Sequence, residues 1–84
     1  MIILMRLDLY LSKTGLIKRR TIAKELADNG LIKVNGRRVK PSNEIQPGDV
    51  IHIGGSRPTS AEVLQIPSGN VKKEEREQFF KKIA

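Results

Sequence analysis

Three consecutive cations, Lys18-Arg19-Arg20, stand where the chain is about to enter a helix. The helix macrodipole already places about half a positive charge at that end, so cations there are unfavourable. Neither Lys18 nor Arg19 offers the side-chain acceptor of an N-cap. The segment is locally frustrated unless an anion from outside completes it. Free backbone N–H groups beside guanidinium forks make a phosphate site. Lys24, one turn on from Arg20, extends the stripe. The bland alternative is three solvated side chains that fray the helix start. On the phosphate reading, losing Arg20 weakens anion binding and leaves the fold neutral or slightly more stable, because crowding at the dipole is relieved.

A second cationic group lies on a hairpin. Asn35-Gly36 suits the two φ > 0 positions of a type I′ turn. That turn pairs Val34 with Arg37, Lys33 with Arg38 and Ile32 with Val39. Lys33 and Arg38 then oppose each other as like charges, a loss of a few tenths to about 1 kcal/mol. Lys40 joins the same face two residues on. A polyanion across that face reverses the sign, and protection of a sheet edge by cations is the other explanation.

The distribution of charge points the same way. The 84 residues carry 16 Lys and Arg against 9 Asp and Glu, a net charge of +7. Residues 1–40 hold ten bases, Arg6, Lys13, Lys18, Arg19, Arg20, Lys24, Lys33, Arg37, Arg38 and Lys40, with three acids, Asp8, Glu25 and Asp28. Residues 41–84 hold six of each, so the whole excess belongs to the first half, as expected of one face built for a polyanion. Cysteine is absent, which excludes a disulfide framework and Cys-based zinc sites. His52 alternates with Ile51 and Ile53 without a second His nearby, and reads as a solvent-facing strand residue rather than a metal ligand. Asp49 reads as a turn residue. The Phe79-Phe80 pair could stack on bases, but neighbours on a helix point about 100° apart, which favours packing for one of them.

The elements that must position these residues are short. Leu7, Tyr10 and Leu11 at i, i+3, i+4 predict a helix over Arg6–Lys13 stopped by Gly15. A second helix runs over about Arg19–Asn29, with Ile22, Ala23 and Leu26 on its apolar face and Gly30 just past its end. Leu31–Val34 and Arg37–Lys40 form the hairpin strands. Pro47-Gly48-Asp49 turns into a third strand, Val50–Ile53, and after a Gly54–Ser60 loop a fourth strand covers Ala61–Ile66. Pro67-Ser68-Gly69 breaks the chain, and Asn70 is placed to cap a last helix over Val71–Ile83, with Glu77 and Lys81 at i, i+4. The class is α+β: two short helices packed on a small, mainly antiparallel sheet, with a C-terminal helix. The opening apolar run, Met1–Met5, is far shorter than the roughly 20 residues that span a bilayer. No cleavage-site pattern follows it, so a cytoplasmic chain with no membrane partner is expected.

Arg6-Leu7-Asp8, Arg20 with Ala23, Gly30, Val34-Asn35-Gly36, Pro41-Ser42 and Gly48-Asp49 fall in one ordered spacing over about residues 5–53. That pattern resembles the alpha-L RNA-binding domain family named after ribosomal small-subunit protein four. The stretch Leu16-Ile17-Lys18-Arg19-Arg20-Thr21, with Arg19 where many members place a capping Ser, is similar to the free-standing bacterial members. These include the S-four-type heat-shock proteins and the P components of ribosome-associated quality control. The resemblance implies an alpha-L fold with RNA lying across the helices and the hairpin. With the fourth strand added to that core, the RNA-binding domain is expected over residues 1–66, and a C-terminal extension with a helix over 67–84. It implies docking on the large ribosomal subunit when a nascent chain has stalled, with large-subunit ribosomal RNA and peptidyl-tRNA as partners. A quality-control elongation protein on the ribosome is a further implied partner, and a monomer is expected. Arg6 and Arg20 become the leading RNA contacts, while Asp8 orients an arginine rather than touching RNA. Residues 54–84 carry no element of the pattern.

Such a role needs no catalytic residue and no cofactor. An RNA-modifying enzyme is disfavoured, because the chain lacks a nucleophile with a base, a cofactor loop and the length for either. A regulator or ribosome-assembly factor bound to another folded RNA would use the same basic face. Only the Leu16–Thr21 stretch separates it from the quality-control reading.

Overall fold

The computed structural model describes residues 4–56, 58–69 and 71–83. Leu7, Tyr10, Leu11 and Thr14 recur at helical spacing and are all buried, so helix α1, Leu7–Thr14, forms by turning that stripe inward. Gly15 ends it in the left-handed region at φ 78°, with its N–H donating to the Ser12 carbonyl. The first amides of α1 find partners from a distant loop. Leu7 N–H donates to the Asn43 carbonyl at 2.8 Å and Asp8 N–H to the Pro41 carbonyl at 3.1 Å, which serves donors that a helix start leaves unsatisfied.

Helix α2, Arg20–Asp28, buries Ala23 and Ala27, whose small side chains let it lie close to α1, with Leu26 partly covered. Ile22, expected on the inner face, is 40% exposed. The seam runs through Ala23 and Ala27, and Ile22 lies about 100° round from it. Gly30 follows in the left-handed region, as its place after the helix suggested.

The strands are β1 (Met5–Arg6), β2 (Ile32–Val34), β3 (Arg37–Arg38), β4 (Glu44–Ile45), β5 (Val50–Ile53), β6 (Thr59–Val63) and β7 (Phe80–Lys82). β1 pairs with β4, and the other five form one antiparallel sheet in the order β3-β2-β5-β6-β7. Asn35 and Gly36, both at positive φ, close the β2–β3 hairpin with Val34 opposite Arg37 and Lys33 opposite Arg38. The fourth strand of the sequence pattern is shifted back to β6. Pairing Ile51 with Ala61 sets Ala61 and Val63 into the core, and Leu64 and Gln65 leave the ladder to donate to the Phe79 carbonyl.

The helix expected over Val71–Ile83 is not formed as such. A short 3-10 helix, Lys73–Gln78, is followed by β7 on the free edge of β6. Residues 72–78 contain no apolar side chain, so a helix there has no face to bury. Pairing with β6 instead satisfies a row of backbone groups and sets Lys81 opposite Glu62. Asn70, the expected cap, lies outside the described residues, as do Met1–Ile3 of the opening run. The core sits between the two helices and one face of the large sheet, built from Leu7, Tyr10 and Leu11 against Ile32, Ile51 and Val63.

Candidate nucleic-acid interface

The side chain of Asp8 is wholly buried at the start of α1 and accepts from two arginines on different elements. Arg6 Nη2 and Arg20 Nε each lie 3.2 Å from Oδ2, and the Leu9 amide donates to Oδ1 at 2.8 Å. Burial works to raise the Asp8 pKa. The hydrogen bonds from Arg20 and Leu9 and the charges of both arginines outweigh it, so the carboxyl is held below its ordinary 3.8. The arginines themselves stay 45% and 43% exposed, so their remaining donors face solvent from a fixed base. An arginine held by one edge can present its other edge to a phosphate with little ordering left to do.

Other cations of the first half converge around that pair. Arg6, Lys24 and Lys40 line one groove of about 430 Å³ between α2 and the Pro41 turn, with Asp28 as its acid. An adjoining groove of about 360 Å³ shares Lys40 and Asp28 and adds Arg38, whose side chain passes close to Gly30. Lys18 and Arg19 are exposed ahead of α2, and Arg19 holds the N-cap position without a side-chain cap bond. Arg37 is exposed beside the hairpin turn. Lys33 faces out from β2 between Arg38 on β3 and His52 on β5. Lys13 stands apart, its ammonium donating to the Gly69 carbonyl at 3.3 Å. His52 Nδ1 lies 2.7 Å from Ser60 Oγ across β5 and β6.

The spaced motif residues have local jobs that hold this surface in shape. Asp49 accepts from Asn35 Nδ2 and from the Gln46 amide, both at 3.0 Å, while Asn35 Oδ1 accepts from the Val50 amide. The hairpin turn is thereby clasped to the turn before β5. Pro41, through its carbonyl, anchors the Asp8 amide. Charge counting alone does not find the Asp8–Arg20 pair, because the eleven residues between them fit no single element.

A family model described as the S4 domain matches residues 5–51. The chain belongs to the S4 domain family. Within it, the chain is similar to the protein named RQC P-site tRNA stabilizing factor from Bacillus subtilis (strain 168). The two are 40% identical over 77 residues, 90% of this chain and 88% of that protein. The factor of the same name from Listeria monocytogenes is 42% identical over 77 residues, 90% of this chain and 83% of its own length. Among solved structures, Vibrio cholerae Heat Shock Protein 15, a trimeric structure, matches at a TM-score of 0.86 and 25% identity, covering 98% of this chain and 84% of that one. A hypothetical protein solved in solution matches at 0.80 and 30%, covering 95% and 98%. These alignments run well past residue 51, so the likeness takes in much of the segment that carries none of the motif. The α+β architecture is that of the family.

Proposed function

We propose that this chain is a non-catalytic RNA-binding factor that docks on the large ribosomal subunit and stabilises peptidyl-tRNA while a stalled nascent chain is processed. The observation that carries the reading is the pair of arginines, Arg6 and Arg20, anchored on buried Asp8 beside the grooves of Lys24, Lys40 and Arg38. Relatives named for stabilising P-site tRNA support it. Arg6 and Arg20 bind phosphates as preset forks, and Lys18, Arg19, Lys24, Lys33, Arg37, Arg38 and Lys40 add point charges that fix the register of the RNA without reading its sequence. Lys13 contributes through the same field at longer range. The partners are large-subunit ribosomal RNA, peptidyl-tRNA and a quality-control elongation protein, met in the cytoplasm by a monomer. Among the described residues no helix is long and apolar enough to cross a membrane.

Crosslinking in cells followed by sequencing of the bound RNA tests this reading. Large-subunit RNA and tRNA should dominate the recovered reads. A library dominated by messenger RNA would replace it with the regulator reading.

A further inference from the structure

A pocket of about 670 Å³ lies between the end of α1, the 3-10 helix and β7, and it shares no lining residue with the grooves of Arg6, Lys24 and Lys40. Its volume suits a nucleotide rather than a lone ion. The lining has two characters: Leu16, Leu64 and Phe80 are apolar, whereas Lys73, Arg76, Lys81 and Lys82 are cations. Register explains why Phe80 and Lys82 meet there. They stand beside Val63 and Ala61, which are both core-facing, so the same face continues to the sheet edge and ends in an aromatic ring and an ammonium.

Arg76 supplies the sharper observation. Its Nε is buried without a hydrogen-bond partner, although an unbonded donor on a charged group is costly to hide from water. Glycine at position 15 is what lets the guanidinium lie there, since a Cβ at Gly15 would come within 2.6 Å of Arg76 Cζ. Attraction to the carbonyl end of α1 accounts for a cation near Gly15. It does not account for the unused Nε, or for three lysines and an aromatic ring around the same space.

We propose that this pocket holds one unpaired nucleotide of RNA, with its base against Phe80 and its phosphate on Arg76, Lys73 and Lys82. A turn of the guanidinium presents its Nε–Nη edge to the phosphate, the fork geometry that arginine offers, and base–aromatic stacking accepts any base. Glu77, the acid of the lining, is an acceptor for a base amino group. The inference rests on the RNA-binding reading above and adds to it a second contact, made to a splayed nucleotide rather than to folded shape.

Amide NMR spectra of the full chain, titrated with adenosine 5′-monophosphate, adenosine, inorganic phosphate and a short single-stranded oligonucleotide, test it. The monophosphate and the oligonucleotide should shift the Gly15, Leu16 and Phe80 amides saturably, the oligonucleotide at lower concentration. Adenosine or phosphate alone should act only weakly. Arg76→Gln should weaken oligonucleotide binding at these amides about tenfold and Lys82→Ala by a smaller factor, while both variants co-sediment with large subunits within about threefold of the parent. Unmoved pocket amides, or titrations unchanged by both substitutions, would overturn the proposal. A monophosphate that binds as tightly as the oligonucleotide would overturn it in favour of a free nucleotide. Failure of the broader reading is a separate signal, namely a parent protein that does not co-sediment at all.

Discussion

Asp8 and Arg20, twelve residues apart in the chain, meet at 3.2 Å with the carboxylate wholly buried and the guanidinium 43% exposed. The contact ties the start of α2 to the start of α1. It also answers the crowding of cations that the sequence presents at Lys18-Arg19-Arg20, because part of the missing anion is supplied from inside the protein. Arg20 is therefore not neutral toward the fold. Its loss strips a partner from a buried charge, a penalty of about 1–2 kcal/mol once the half-exposed position of the arginine is allowed for.

Replacing the carboxylate itself should act on both arginines at once. Asp8→Asn keeps the shape but releases Arg6 and Arg20 from their anchor, and should destabilise the fold by about 1–3 kcal/mol. At roughly 4–8 °C per kcal/mol for a domain of this size, the shift is readable in a thermal melt. Ribosome affinity should fall in the same variant although Asp8 need touch no RNA. Unchanged affinity in a folded Asp8→Asn protein would show that the two arginines need no orienting.

The same carboxylate sets the acid limit of stability. A pKa depressed in the folded state contributes stability that is present above the ordinary value of 3.8 and is lost as pH falls through the folded-state value. Urea unfolding followed from neutral pH down to about pH 2 should show a decline below the ordinary carboxylate range that is shallower in Asp8→Asn. Parallel profiles for the two proteins would remove Asp8 from the account of acid stability.

Tyr10 ties the C-terminal strand to α1. Its buried hydroxyl donates to the Phe79 carbonyl at 2.6 Å, and burial raises its pKa. Because the neutral phenol is the favoured form, its contribution is present below the ordinary value of 10.0 and is lost as pH rises beyond it. Tyr10→Phe should cost about 0.5–1.5 kcal/mol, since the Leu64 and Gln65 amides still serve the Phe79 carbonyl, and should remove the alkaline loss. Hydrogen exchange should quicken first at residues 80–82. Uniform quickening across the sheet would instead mark Tyr10 as a global core residue with no special hold on β7.

How much of this was legible in the sequence follows the range of the interactions. α1, α2, the Asn35-Gly36 hairpin and β5 are written in local signals: apolar spacing, a glycine at a helix end, a turn dipeptide. β1 and β4 have two residues each and exist only because Met5 meets Ile45 and Arg6 meets Glu44. No window on either segment carries that information. β7 was missed for a related reason, since what decides against a helix is the open edge of β6, far away in the chain. The cations of the site were visible as a charge excess. What fixes two of them, a buried acid across two helices, was implied only by the family resemblance.

If phosphates supply most of the affinity, binding to large subunits should weaken linearly on a log–log plot against salt, with a slope of roughly −3 to −5 for about four to six neutralised phosphates. A slope near zero would mean that the basic half of the chain is not the interface.

The most direct test sets Arg20→Ala and Arg20→Lys beside Lys72→Ala, an exposed cation outside the interface, in thermal melts and large-subunit co-sedimentation. Arg20→Ala should melt a few degrees lower yet remain folded at the assay temperature, with ribosome association weakened by about 1–3 kcal/mol, some five- to 150-fold. Arg20→Lys should recover only part of this, because a compact ammonium lacks the planar fork that offers one edge to Asp8 and another to a phosphate. Lys72→Ala should match the parent in both measurements. A folded Arg20→Ala protein that sediments with large subunits as the parent does would contradict the assignment of Arg20 to the RNA interface.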